Sequence, residues 1–156
     1  IAVGQGHDLA ARQDMMLGSY LAGMAFSNAG LGLVHAMAHQ IGARYHIPHG
    51  IANAMLLPSV LSFNRLVSAK AYREIGYALS GEALNADGFI TAVTQLITDI
   101  GLPTGLCVPG ITPEAFPDLA SAALSDTCLA GNPRTASHAE IIDIYRHAWP
   151  RQVTEN

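Results

Sequence analysis

Apolar positions recur along this chain at helical intervals, and no stretch alternates with the two-residue period of a strand. Leu9 to Phe26 has helical composition, with Met15, Met16, Ala22, Met24 and Ala25 and no β-branched run. Ser27-Asn28-Ala29-Gly30 reads as its stop, because Asn and Gly accept the backbone angles of helix ends. A second helix is expected over Leu31–Tyr45. Ile47-Pro48 ends it, since proline disfavours a helical residue before itself. Pro48 suits the first turn of a third helix running to about Phe63, and Ser68 reads as the cap of a fourth ending at Leu79. Phe89, Val93, Leu96, Ile97 and Ile100 share a face and predict a fifth over Asn85–Ile100.

Pro/Gly-rich residues 102–113 read as an ordered loop, and Thr112-Pro113-Glu114 as a helix start whose helix runs toward Leu124. Asp126 to Ser137 reads as a second loop, and His138 to Trp149 as the last helix. The expectation is one all-α domain of about six to seven helices over residues 1–156.

Composition narrows the function classes. The chain has 156 residues, half of them apolar and 13% charged, with a formal charge of −4. That is a globular domain able to bury a core without staples. An acidic balance argues against nucleic acid or an anionic membrane surface as partner. The two cysteines, Cys107 and Cys128, have no metal-ligand spacing and fit a reducing, cytoplasmic setting. No charged residue stands between Asp14 and Arg44, a run long enough to span a bilayer. Ser27, Asn28, Gly30 and Gly32 fall in its middle, so it reads as two core helices with a break, and no membrane partner is expected. The first residue is Ile1, and the opening residues lack a signal peptide's pattern, so the chain reads as part of a longer protein. The apolar excess points to a face packed against another domain or a second copy in a homo-oligomer.

Candidate chemistry lies in the histidines. Four of the seven fall between positions 35 and 49. His35 and His39 are four apart, so one helix face carries both, and a helix–turn–helix corner can return His49 to that face. Three converging imidazoles can hold a divalent transition metal; a structural pair bonded to backbone or water is the other reading of such spacing. Ala36 stands where a zinc protease needs its glutamate, and the chain has no Glu-x-x-His pairs for a di-metal bundle. No Asp or Glu lies between His35 and His49, so any carboxylate ligand comes from elsewhere. His7, His46, His138 and His147 are expected at the surface.

Residues 23–32, GMAFSNAGLG, then Val34-His35-Ala36-Met37-Ala38-His39, Gly42, Pro48-His49-Gly50-Ile51-Ala52-Asn53, Leu56-Leu57-Pro58 and Asn132-Pro133-Arg134 resemble the signature of the iron-containing (group III) alcohol dehydrogenases. The resemblance runs from about Asp14 to Trp149 and is strongest to the lactaldehyde/propanediol reductase branch. It implies the family's helical, dehydroquinate-synthase-like C-terminal domain. It also implies hydride transfer between NAD(P) and a small alcohol or aldehyde, aided by Fe²⁺ or Zn²⁺. By the same resemblance His35 and His49 are metal ligands. His39 lies beside nicotinamide and substrate as a proton relay, Phe26 lies near the nicotinamide, and Cys128 near the substrate. A buried apolar thiol is an equal reading of Cys128. The family's two other ligands, an aspartate and a histidine four residues later, have no counterpart here, and its N-terminal dinucleotide-binding domain is absent. Gly4-Gln5-Gly6 is no substitute for that domain's turn, because no strand precedes it and the third glycine is missing. The fragment alone is expected to be inactive. Two alternatives are a helical scaffold or interaction domain with structural histidines, and a zinc-dependent glycerol dehydrogenase relative.

Overall fold

The computed structural model describes residues 1–149. They are helical, with no strand among them. Six α-helices follow in order: α1 Leu9–Ala29, α2 Leu33–Tyr45, α3 His49–Ser80, α4 Ala86–Asp99, α5 Phe116–Leu124 and α6 His138–Ala148, with 3₁₀ turns at Pro113–Ala115 and Thr127–Gly131. No helix among the described residues is on its own long and apolar enough to cross a membrane. Two compact units divide the chain, Ile1–Leu31 and the residues from Gly32 onward.

The first unit is built on α1. Asp8 caps it by accepting from the Ala11 amide at 3.0 Å, and Gly30, at φ 80°, ends it as the Ser27–Gly30 pattern predicts. None of its side chains is buried in this chain, and Met15, Met16, Tyr20, Leu21 and Phe26 stand exposed.

The second unit has a core drawn from α2, α3, α5 and α6. Leu33, Met37 and Ile41 line one stripe of α2 and are fully buried, as are Leu56 on α3, Phe116 on α5 and Tyr145 on α6. The Tyr145 hydroxyl donates to the Met37 carbonyl at 3.0 Å, and burial pushes its pKa far up, so it remains a neutral donor. The rings of Phe116 and Tyr145 stack with centroids 5.6 Å apart.

One expected boundary is wrong. The third and fourth helices are a single helix, α3, of 32 residues. Ser68, read as a cap, lies inside it. Residues 64–67 contain neither glycine nor proline, so the helical bonding is not interrupted there. Asn64 does not turn the chain. It is buried, and its amide exchanges two hydrogen bonds with Asn132, each 2.9 Å.

Asn132 also accepts from the Leu33 amide at 3.2 Å and donates to the Arg134 carbonyl at 2.6 Å. A residue 99 positions away thus satisfies a free amide at the start of α2. Arg134 ties α3 to α6: it donates to the Phe63 carbonyl at 2.8 Å, pairs with Glu140 at 2.7 Å, and lies 3.9 Å over the Phe63 ring. The Asn132-Pro133-Arg134 motif is therefore a structural clasp. Asn132→Ala should cost about 1–3 kcal/mol of stability, because it leaves the Asn64 amide and the Leu33 N–H without their partner. Denaturant titration of the variant against the parent chain measures it.

Candidate metal and proton-relay site

The site begins with the geometry of α2. Burial of Leu33, Met37 and Ile41 turns one stripe inward, and the four-residue spacing puts His35 and His39 together on another. His46 ends the helix in the left-handed region, at φ 55°. Pro48 is extended, and His49 is the first residue of α3. Gly42 allows this return to run close, since a Cβ there would meet the Ile47 carbonyl oxygen at 3.3 Å.

The corner closes as its sequence suggests. Ring centroids lie 6.1 Å apart for His35 and His39, 5.2 Å for His35 and His49, and 5.5 Å for His39 and His49. Burial, then the nearness of His49 and His39, lowers the His35 pKa below the ordinary imidazole value, with Asp126 pulling the other way. That shift favours its neutral form. The Asn53 amide nitrogen lies 2.9 Å from the His49 carbonyl and 3.2 Å from His49 Nε2. Asn53 Oδ1 is buried without a hydrogen-bond partner among the described residues.

Sequence reasoning missed Asp126. Its Oδ2 lies 2.9 Å from His39 Nδ1, although the two residues are 87 positions apart. It also accepts from Gln40 Nε2 at 3.3 Å, while its Oδ1 accepts from the Cys128 amide at 2.9 Å. Burial alone would raise this carboxyl, but the hydrogen bonds from His39 and Cys128 hold it below the ordinary carboxylate value. No local pattern could have paired Asp126 with His39; the one available signal was its place as the cap of a short turn, with Cys128 two residues on.

Cys128 is half-buried and free, and burial, followed by the Asp126 carboxylate, pushes its thiol pKa up. It is a protonated thiol and a poor nucleophile. Donor atoms of His39, Asp126 and Cys128 all lie within 4.8 Å of one another. Phe26 lies in the first unit, near the end of α1, and is half exposed.

Of the histidines expected at the surface, His7, His46 and His147 are exposed. His138 departs from that expectation. It is half-buried, with Nε2 2.9 Å from the Pro117 carbonyl and 3.0 Å from the Ser121 hydroxyl, because α6 packs on α5 at that point. A cavity of about 610 Å³ lies away from the three clustered histidines, lined in part by Phe63, Thr94, Arg134 and Glu140.

The donor chemistry fits a divalent first-row ion. His35 and His49 offer imidazole nitrogens from a rigid corner, though two such ligands do not fill a four-coordinate shell.

Comparison with known proteins defines the class. The model of the Fe-containing alcohol dehydrogenase family, C-terminal part, matches residues 1–149. The chain belongs to this family. It is 55% identical over 147 residues to a probable alcohol dehydrogenase, EutG, of Salmonella typhimurium, covering 94% of this chain and 37% of that protein. It is 45% identical over 148 residues to the lactaldehyde reductase of Escherichia coli, covering 91% and 39%. Among solved structures, a 1,3-propanediol oxidoreductase superposes with a TM-score of 0.87 at 44% identity, covering 95% of this chain and 40% of that one. An alcohol dehydrogenase from Oenococcus oeni superposes with a TM-score of 0.88 at 39% identity, with the same coverage. The chain thus spans about two fifths of the length of these relatives, and the all-α fold is that of their C-terminal part.

The shifted groups set a pH dependence. His35 binds protons less readily folded than unfolded, so its contribution is complete above the unfolded imidazole value of about 6.5 and is lost as pH falls toward the folded one. Asp126, also lowered, adds a loss at more acidic pH, through the carboxylate range. Metal-free protein should therefore lose denaturant stability in two stages on acidification, and His35→Asn should flatten the first.

Proposed function

We propose that this chain is the metal- and substrate-site domain, residues 1–156, of a metal-dependent NAD(P) alcohol dehydrogenase or aldehyde reductase. An N-terminal dinucleotide-binding domain would complete it. The observation that carries the reading is the convergence of His35, His39 and His49 at centroid separations of 5.2–6.1 Å. The exposed apolar side chains of α1 offer surface for the partner domain, and two free thiols suit a cytoplasmic setting.

His35 and His49 are the ligands this chain contributes to Fe²⁺ or Zn²⁺; the remaining donors come from elsewhere in the complete protein. The metal, when bound, supplies Lewis acidity toward the oxygen of a small alcohol or aldehyde, and the nicotinamide carries the hydride. His39 moves the proton. Its imidazole takes the hydroxyl proton during oxidation and returns it during reduction, with 37% of its side chain exposed for exchange with solvent. Phe26 offers an apolar ring to the nicotinamide, and Cys128 a neutral contact to the substrate.

In the complete protein, His49→Ala should lose bound metal and turnover together. His39→Ala should keep the metal and lose about 10²–10⁴ in kcat, the range of acid–base catalysis. Metal analysis beside alcohol-dependent NAD(P) reduction reads both. Full metal content in His49→Ala, or unchanged turnover in His39→Ala, overturns the assignment. The 156-residue chain alone should not reduce NAD(P).

A further inference from the structure

His39 is held by more than its own helix. The Asp126 carboxylate facing it is only 14% exposed and is fixed by other donors. Its Oδ1 is taken by the Cys128 amide at the start of the 3₁₀ turn. Its Oδ2 also accepts from Gln40, whose amide is bound in turn to the Ala36 carbonyl at 3.0 Å. The acceptor facing His39 Nδ1 is thus anchored both to the turn and to α2 itself.

An ionised carboxylate can only accept, so the ring nitrogen 2.9 Å away must carry the hydrogen. In a neutral imidazole that leaves the lone pair on Nε2. We propose that Asp126 is a positioning residue that holds His39 in its Nδ1–H tautomer and in one ring orientation, making Nε2 the working nitrogen. Gln40 supports it by preventing the carboxylate from turning away. The inference rests on the reading of His39 as the proton carrier and adds the residue that determines which nitrogen does the work. Carboxylate partners of functional imidazoles commonly act in this way.

The test uses the complete, metal-loaded enzyme. Asp126→Ala should lower kcat about 10–100-fold, the usual cost of removing such a partner, with metal content kept and KM changed less. Added formate, small enough to enter the vacated space, should restore part of the loss, which a fold defect would not allow. In a His39→Ala background Asp126→Ala should cost nothing further, because its effect passes through that ring. Wild-type turnover in Asp126→Ala, no rescue by formate, or an undiminished penalty in the His39→Ala background each overturns the proposal. If His39→Ala retains full turnover, the failure lies with the reading of His39, and the inference falls with it. Should Asp126→Ala not fold, imidazole ¹⁵N shifts of the zinc-loaded parent decide the matter: protonated Nδ1 on His39 supports the proposal, and protonated Nε2 overturns it.

Discussion

Burial of the Leu33–Met37–Ile41 stripe orients α2, and the orientation of α2 decides where the imidazoles go. A helix offers its side chains in fixed angular positions, so a stripe sealed in the core leaves no freedom for the others. His35 and His39 cannot turn away without dragging three fully buried side chains toward water. Two distant hydrogen bonds reinforce this placement. Asn132 satisfies the Leu33 amide at the start of the helix, and the Tyr145 hydroxyl reaches the Met37 carbonyl at its middle.

The corner after α2 does the rest. His46 accepts a left-handed conformation, Pro48 is pre-shaped for the start of the next helix, and Gly42 leaves room for the return. His49 therefore arrives as the first residue of α3, opposite the face that carries the other two histidines. Three weakly basic groups held this close repel one another when charged, which is one cause of the lowered His35 pKa. In the proposed reading, the corner brings His35 and His49 close together before any ion arrives.

Around these rings the polar groups divide their labour. Asn64, Asn132 and Arg134 hold helices together and make no hydrogen bond to the three imidazoles. Asp126 and Asn53 touch them directly, one at His39 and the other at His49. The family motif therefore mixes two kinds of residue: those that cluster at the imidazole corner and those that keep the backbone in place around it. Asn132-Pro133-Arg134 belongs to the second kind.

Local rules were enough to read the helices, the stop at Gly30, the corner at Pro48 and the shared face of His35 and His39, because each depends on residues within one or two turns. The same rules split α3 between Phe63 and Ser68, because Ser68 read as a cap; Asn64, in that gap, is buried against a partner that no local rule supplies. That partner, Asn132, is 68 positions away. Asp126 meets His39 across a still longer gap, and His138 finds Pro117 and Ser121 only because α5 and α6 pack together. Sequence alone determined which residue types could form the site and the local geometry of three of them. Tertiary packing decided which carboxylate faces which ring, because hydrogen bonds between distant segments exist only after the core has closed around them.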